Sequence, residues 1–344
     1  YVTSISSLPA LVSQNFTWEK VGTINVGLDV NLFNNRLSGV FEWYQRNTNG
    51  MLAPGVQLPA VVGASAPYQN TADMRTRGWE LSLNWRDQIG KVGYRIGFNL
   101  SDYKSEIIKY DDNAATKLLS SYYPGQTLGE IWGYVVDGYY TVDDFVDTSS
   151  WQLKEGVTSI NGYNVRPGDV KFKNLRDDDT STNVITSGDN TFDNPGDRKV
   201  IGNTTPRYQY GINLGMNYAG FDLNVILQGT GKRDYWISNV LTFPMNGDNF
   251  VPLFEGLSDY WMPKDPDNGD WSAVNPNAKY PRIYGNRGNS GSNLRQSDKY
   301  LSDASYLRIK NITLSYKLPK KWVNQIFLCL LYTSPSPRDM RRSR

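Results

Sequence analysis

The residues best suited to chemistry are three consecutive carboxylates, Asp177 to Asp179, in a polar stretch of the chain. Asp177 and Asp179 have the alternate spacing with which a calcium-binding loop begins. Thr182, however, stands where such a loop needs glycine, and Gly188 stands where its bidentate glutamate belongs. A carboxylate pair could also serve a glycosidase. We interpret the cluster as the acidity of a solvated loop, with Asp177 and Asp179 as weak calcium candidates.

Other catalytic chemistry is excluded by the residue types. The sequence has no histidine and one cysteine, Cys329. This rules out the usual zinc site with nitrogen and sulfur ligands, the Ser-His-Asp and Cys-His pairs, and the common haem ligands. The run Gly229 to Lys232 is too short for a phosphate-binding loop and follows a strand pattern. We therefore expect no catalytic residue, no enzyme activity and no cofactor.

The clearest secondary-structure pattern is a strand of alternating character. One face carries Tyr208, Tyr210, Ile212, Leu214, Met216 and Tyr218, and the intervening residues are Gln209, Gly211, Asn213, Gly215 and Asn217. Ten residue steps correspond to roughly 33 Å along a strand and, at a tilt of about 40°, to roughly 25 Å of height. This height matches the apolar band of an outer-membrane barrel. We expect Ile212, Leu214 and Met216 to face lipid and Tyr208, Tyr210 and Tyr218 to form aromatic girdles.

Similar strands occur in pairs around short polar turns. One pair turns at Asn34 and Asn35, residue types that tolerate positive φ. A second turns between Asp87 and Gly90, and its strands place Leu81 and Leu83 on the lipid side. The strand from Tyr208 is followed by a third turn, at Ala219 and Gly220. A seventh strand, about Tyr306 to Leu318, alternates less cleanly, which suggests a bulge or an interfacial strand end.

Long connections separate these hairpins and all fall at one end of the strands. Short turns on one side and long loops on the other are typical of an outer-membrane barrel, with periplasmic turns and extracellular loops. The alternative is a soluble or surface β-sandwich, such as a carbohydrate-binding module, which has the same alternation but would bury the apolar face. The net charge of +2 gives no reason to expect a nucleic acid partner.

The long connections are rich in aromatic residues that could contact a ligand. Ring faces stack on sugars, and nearby amides and carboxylates bond to hydroxyls. The candidates for contact with a ligand or with a covering protein are Trp132, Tyr134, Tyr139, Tyr140, Trp236, Tyr260, Trp261 and Trp271. The alternative, which we favour for any single residue, is that they pack the loops or contact a covering protein.

The end of the chain differs in character from the rest. Residues Cys329 to Asp339 resemble the in-frame translation of a sequencing-library adapter, and basic residues without pattern follow. We therefore divide the chain into a partial barrel domain, residues 1–328, and a non-native tail, residues 329–344.

Four ordered blocks of the sequence resemble one family. The blocks Phe16 to Leu52, Leu58 to Asp87, Ile201 to Trp236 and Asp303 to Lys321 are similar to the C-terminal barrel region of SusC/RagA-type TonB-dependent transporters. The resemblance implies an all-β fold: seven to eight antiparallel transmembrane strands of a 22-stranded barrel. It also implies the cell outer membrane as the location and energised import of a nutrient, an oligosaccharide or in some members a peptide.

The resemblance further implies partners. These are a SusD-like surface lipoprotein that covers the extracellular mouth, TonB acting through an N-terminal plug, and outer-membrane lipid. The plug, the TonB-engaging segment and the other strands of the family barrel have no counterpart in this sequence. We expect a fragment that does not insert stably alone.

Overall fold

The computed structural model describes residues 11, 13, 17–55, 61, 67–176, 183–237, 254–284 and 292–319. The calcium candidates Asp177 and Asp179, the boundary at residue 328 and the predicted tail all lie outside these residues. In chain order the strands are β1 Lys20–Leu32, β2 Leu37–Pro54, β3 Tyr68–Ile89, β4 Val92–Tyr110, β5 Glu130–Tyr134, β6 Val136–Tyr139, β7 Ser159–Ile160, β8 Val170–Phe172, β9 Val184–Ile185, β10 Arg198–Asn203, β11 Arg207–Tyr218, β12 Phe221–Lys232, β13 Asp234–Trp236, β14 Pro263–Asp265, β15 Asp270–Ala273, β16 Leu301–Asp303 and β17 Tyr306–Tyr316.

Short 3-10 turns interrupt the connections, at Asp111–Asn113, Val142–Asp144, Glu255–Leu257, Pro266–Asn268 and Asp298–Tyr300. In the part of the chain that the structure describes, no helix is both long enough and apolar enough to cross a membrane.

Seven strands form one antiparallel sheet in the order β1-β2-β3-β4-β11-β12-β17. The order follows the chain, as an up-and-down meander requires. The turns β1-β2, β3-β4 and β11-β12 lie at one end of the strands, which we call the turn end, and the longer connections lie at the opposite, loop end. Among the described residues, β1 and β17 each have a single neighbour in this sheet.

The register aligns residues of one character across all seven strands. One row reads Leu32, Leu37, Trp85, Ile96, Leu214, Val225 and Ile312, and the next reads Val30, Gly39, Leu83, Phe98, Ile212, Leu227 and Ile309. These rows define the apolar face. One residue away, a row of the polar face reads Asn31, Ser38, Asn84, Gly97, Asn213, Ile226 and Asn311. The alternation predicted strand by strand is therefore continuous over the whole sheet.

The apolar face has no second layer of described protein against it. Leu214 is 38% exposed, Met216 46% and Leu314 67%. Leu81, Leu83 and Ile212 on the same face are half-buried. A sandwich would bury this face, so the sandwich alternative is wrong for this sheet.

Two of the three predicted turns form where the sequence places them. Asn34, Asn35 and Ala219 have positive φ, as does Gly220 with φ of 92°. The predicted turn from Asp87 to Gly90 is shorter than expected: β3 continues to Ile89, which pairs with Val92, and only two residues turn the chain. The polar residues Asp87 and Gln88 suggested a turn, but they extend β3. A strand end that is exposed to water need not alternate between apolar and polar residues.

The irregular phase of β17 has the predicted cause. The register shifts between Ile226 and Leu227, whose partners are Asn311 and Ile309, so Lys310 is an extra residue in β17. This bulge puts Ile309 and Ile312 in consecutive rows of the apolar face. Arg308 joins the polar face, where its Nη2 donates to Oε1 of Gln228 at 3.3 Å.

Aromatic side chains collect at both ends of the apolar face. At the turn end, the rings of Phe221 and Tyr316 lie 4.5 Å apart between centroids, beside Tyr218. Ten residues toward the loop end, Trp43 and Trp79 are register partners, and Tyr208 belongs to the same level. Tyr210 lies one row inside that level. The girdle role of the three tyrosines remains a prediction.

A glycine on the polar face lets an ion pair cross a strand. The guanidinium of Arg95 on β4 donates to both carboxylate oxygens of Asp222 on β12, at 3.2 and 3.1 Å. Gly215 of β11 lies between them, and a Cβ there would stand 2.2 Å from Nε of Arg95. A larger residue at this position would displace the arginine.

Candidate functional site

Two long connections at the loop end fold into a compact body, which we call the cap. Residues 111–206 contribute the strand pairs β5-β10, β6-β8 and β7-β9. Residues 233–305 contribute the pairs β13-β16 and β14-β15. The short pairs satisfy backbone hydrogen-bonding groups of the connections themselves.

The first connection has a hydrophobic core of its own. Tyr140 and Phe172 are fully buried, and the Tyr140 hydroxyl donates to the carbonyl oxygen of Thr158 at 2.6 Å. The ring of Tyr134 lies 5.2 Å from that of Phe172. The buried members of this core are Tyr134, Tyr140, Phe145, Ile160, Val165, Val170, Phe172 and Ile185. Such a core explains how a connection of this length stays ordered.

The second connection has a smaller core. Leu257, Tyr280 and Tyr300 are buried, and Trp236 and Tyr260 pack against them. The nitrogen of Trp261 donates to the carbonyl oxygen of Tyr280 at 2.9 Å, and Tyr280 N donates to the carbonyl of Asp259 at 3.0 Å.

Asp169 joins the two connections, and we call its polar contacts the Asp169 hub. The residue is 1% exposed, and its carboxylate accepts hydrogen bonds from the Tyr284 hydroxyl at 2.6 Å, Nδ2 of Asn293 at 2.9 Å and the Arg166 nitrogen at 2.8 Å. Asn293 also accepts from the nitrogen of Val170 at 2.8 Å. Burial raises the pKa of Asp169, while these hydrogen bonds and Arg282 act in the opposite direction.

Aromatic contacts reinforce the same junction. The rings of Trp151 and Trp271, one from each connection, meet edge to face at 5.0 Å. The guanidinium of Arg282 lies 4.9 Å from the Trp271 ring. Gly168 has a φ of 88° and packs on Trp261, whose Cε3 atom would lie 2.2 Å from a Cβ at that position. Only glycine fits this backbone and this contact.

The four candidates of the first connection all contact other residues. Trp132 is half-buried, and its Nε1 donates to Oε1 of Glu130 at 2.8 Å. Tyr134 and Tyr140 belong to the core. Tyr139 is half-buried, and its hydroxyl donates to the carbonyl of Ala278 in the second connection at 2.9 Å.

The four candidates of the second connection are also packed. Trp236 and Tyr260 are half-buried against the smaller core, and Trp261 is 3% exposed beneath Gly168. Trp271 is half-buried between Trp151 and Arg282. None of the eight therefore offers a freely exposed ring, which favours the packing role over direct stacking on a ligand.

An open cavity of about 730 Å³ lies at the loop end of β2 and β4. Its walls include Tyr110, Asn113, Leu118, Tyr122 and Gln126. The rings of Tyr110 and Tyr122 meet edge to face at 6.0 Å. The Asn113 amide holds the loop in place by donating to the carbonyls of Leu118 and Tyr122, at 2.9 and 2.8 Å.

This cavity combines aromatic walls with a hydrogen-bond acceptor. Oε1 of Gln126 is buried and has no hydrogen-bond partner among the described residues. Tyr110 pairs with Ala72, which is in phase with the polar face of β3, so the cavity lies on that side of the sheet. Sequence reasoning missed these residues because they are scattered over residues 54–126, and a local pattern does not bring them together.

No metal centre emerges in this region. The described residues contain no group of three or more histidine, cysteine, aspartate or glutamate side chains that could hold an ion.

Comparison with known proteins shows similarity to TonB-dependent receptors. No family model matches the chain. The TonB-dependent receptor P3 of Formosa agariphila is 27% identical over 333 residues, which cover 92% of this chain and 29% of that protein. The TonB-dependent receptor SusC of Bacteroides thetaiotaomicron is 24% identical over 332 residues, 94% of this chain and 28% of that protein. The chain is homologous to SusC-type TonB-dependent receptors.

Solved structures agree with the SusC-type fold. The RagAB peptide importer in its closed-closed state superposes with a TM-score of 0.65 at 22% sequence identity, covering 92% of this chain and 31% of that one. The open-open state gives 0.62. The predicted resemblance and the predicted antiparallel barrel sheet are thus confirmed. The chain spans less than a third of the length of the curated relatives that it matches.

Proposed function

We propose that this chain forms part of the wall and the extracellular cap of an outer-membrane barrel that imports a nutrient. The observation that carries the proposal is the apolar face, whose register rows are continuous over seven strands and uncovered by described protein. Such a face is stable where lipid replaces water. The turn end would then be periplasmic and the loop end extracellular.

The proposal assigns import rather than catalysis. The relatives are receptors and transporters by name. Work for transport would come from TonB acting through a plug domain, and a SusD-like lipoprotein would cover the cap. No residue of this chain has a catalytic role in this scheme. The partial barrel domain, residues 1–328, and the non-native tail, residues 329–344, are parts of the same proposal.

The membrane placement can be tested with a matched pair of substitutions in the complete transporter. Leu214→Arg puts a charge on the apolar face near its middle and should cost about 2–4 kcal/mol. Asn213→Arg puts the same charge on the neighbouring residue of the polar face and should cost far less. Folded protein in outer-membrane fractions, measured by resistance to denaturation on unheated gels, reports the difference. Equal losses, or a soluble folded transporter, would refute the proposal.

For the substrate we propose an oligosaccharide, with a peptide as the alternative. The cavity beside Tyr110 and Tyr122 supports this choice, since the Tyr122 ring is 37% exposed and can stack on a sugar, and the polar side chain of Gln126 lines the same cavity. A peptide could use the same groups through its amides. The eight aromatic candidates would act by shaping the cap that contacts the ligand or the lid.

The substrate proposal is tested by binding to the purified complete transporter. A panel of neutral oligosaccharides and a panel of short peptides serve as probes in calorimetry. Tyr122→Ala should weaken oligosaccharide binding about tenfold, whereas Phe254→Ala, an exposed aromatic change on the other connection, should not. Binding of peptides alone would select the alternative. Ligand affinity and lid association are measured separately for Trp132→Ala. If neither changes, Trp132 has only a packing role.

A further inference from the structure

The outer surface of the sheet changes from apolar to basic just beyond the level of Trp43 and Trp79. Two residues farther toward the loop end, Arg77 and Lys104 are register partners in phase with Trp79. Two residues beyond these, Arg75 follows on the same face beside Glu106. Arg75, Arg77 and Lys104 thus form a group on adjacent strands, which we call the basic cluster.

The basic cluster is not neutralised within the described part of the protein. Arg77 donates through Nε to Oε1 of Gln45 at 2.8 Å, an uncharged partner. Arg77 and Lys104 are exposed. Among the described residues, the ion pairs within 4.0 Å involve none of the three. Nε of Arg75 is buried and has no hydrogen-bond partner among those residues.

The nearby carboxylates are mostly committed elsewhere. Asp102 forms a bidentate ion pair with Arg207, and Asp73 accepts from the nitrogen of Gly50 at 2.8 Å. Asp111 pairs with Lys109 at 2.9 Å. Glu106 is the remaining acid, so the basic cluster keeps an excess of positive charge.

The level of the basic cluster along the strands determines which ligands can contact it. Two residues correspond to about 7 Å along a strand, so Arg77 and Lys104 lie about one head-group layer beyond the tryptophans. Register partners have Cβ atoms about 5 Å apart, which lets both side chains reach one anion. Guanidinium and ammonium groups together are well suited to phosphate oxygens.

We propose that the basic cluster binds the phosphate of a lipid head group in the outer leaflet of the membrane. This inference rests on the proposed function, because it needs the apolar face to lie in lipid and the loop end to lie outside. Charge complementarity commits the site to an anionic, phosphate-bearing lipid rather than to a zwitterionic one, whose own ammonium would compete with Arg77 and Lys104.

The experiment compares lipids that differ only in phosphate. The complete transporter is incubated in detergent with lipid A carrying both phosphates or with dephosphorylated lipid A, and native mass spectrometry counts the retained lipid. The double variant R77Q/K104Q should lower retention of phosphorylated lipid A about tenfold, because a hydrogen bond to a charged group accounts for about a decade in affinity. Dephosphorylated lipid A should bind weakly to both proteins.

Three controls make the result decisive. R46Q removes an exposed arginine at the same level on the polar face and should leave retention unchanged. R77K/K104R keeps the charge and should restore it, which separates binding from misfolding. Inorganic phosphate at millimolar concentration should not displace the lipid; if it does so fully, the site is a free-phosphate site and the lipid assignment fails.

The outcomes also separate this inference from the function on which it rests. If R77Q/K104Q retains phosphorylated lipid A as well as the unchanged protein does, the inference is overturned while the outer-membrane assignment stands. If the unchanged transporter does not reach the outer membrane at all, the proposed function fails first.

Discussion

The seven-stranded sheet and the cap use the same residue types in opposite ways. On the apolar face of the sheet, leucine, isoleucine and methionine are half-buried or exposed, and Leu314 is 67% exposed. In the cap, aromatic and aliphatic side chains turn inward, and Tyr140 and Phe172 are fully buried. The difference follows from the surroundings: the sheet has a face that requires an apolar medium, whereas the cap builds its own core as a protein in water does.

The largest effect is expected when the sheet is separated from the strands that would flank it. β1 and β17 each have one neighbour in the sheet, so unpaired backbone groups at both edges would cost several kcal/mol each in lipid. We expect the chain produced alone to aggregate, as judged by size-exclusion chromatography in detergent. A monodisperse, protease-resistant monomer would contradict the dependence of the sheet on further strands.

The next largest effect should come from the core of the cap. Phe172→Ala removes a fully buried ring that contacts Tyr134 and should destabilise the cap by about 3–5 kcal/mol. Hydrogen exchange of the complete transporter should show faster exchange in residues 130–185 and no change in the strands of the sheet. Val146→Ala, at a 58% exposed position of the same connection, is the control and should cost less than about 0.5 kcal/mol. If the cap is equally protected from hydrogen exchange in Phe172→Ala and Val146→Ala, contacts with the barrel, and not its own core, stabilise the cap.

A smaller effect is expected at the Asp169 hub. Asp169→Asn keeps the shape but places an amide donor opposite the Tyr284 hydroxyl or the Asn293 amide, which should cost about 1–3 kcal/mol. Limited proteolysis of the cap measures the loss.

Asp169→Asn should also change how the stability of the cap depends on pH. Because burial raises the pKa of Asp169, the folded cap binds this proton more tightly than the unfolded chain does. The contribution of Asp169 to stability is therefore greatest at acidic pH and falls as the pH rises from the ordinary aspartate pKa through the raised value. Proteolysis across this range should show that slope in the unchanged protein and lose it in Asp169→Asn. An unaltered slope would assign it to another group.

The smallest effect is expected at the turn end of the sheet. Arg36, in the turn between β1 and β2, contacts Asp87 near the end of β3 at 3.2 Å, but the arginine is 56% exposed. Arg36→Ala should change stability by about 0–1 kcal/mol, since water screens exposed ion pairs. Thermal melts of the complete transporter check this against Lys91→Ala in the adjacent turn. A loss larger than that of Asp169→Asn would reverse the ranking of the two regions.

The sheet could be predicted from the sequence and the cap could not, for a physical reason. Between Tyr208 and Tyr218 apolar and polar residues alternate with a period of two, which a single sequence reveals. Toward the loop end the alternation of apolar and polar residues stops before the strand does. β2 continues to Pro54, well beyond the alternation that ends near Trp43. There the backbone ladder persists without a sequence signal.

In the cap, the decisive contacts connect distant residues. Asp169 and Asn293 are 124 positions apart, and neither lies in a periodic segment. The sequence suggested Asp177 and Asp179 as candidate calcium ligands. The aspartate that joins the two connections is instead the buried Asp169. Among the aromatic candidates of the two connections, for which packing was the favoured alternative, Trp261 and Tyr140 are interior residues.

The Asp169 hub also has a bearing on protein engineering. Arg166, Asp169 and Val170 of one connection and Tyr284 and Asn293 of the other complete a single polar network, so the two connections are coupled. In a chimera that exchanges just one connection with a relative, the Asp169 hub would lose its partners from the other connection. Grafting a new substrate preference onto this scaffold therefore requires transplanting both connections as a unit.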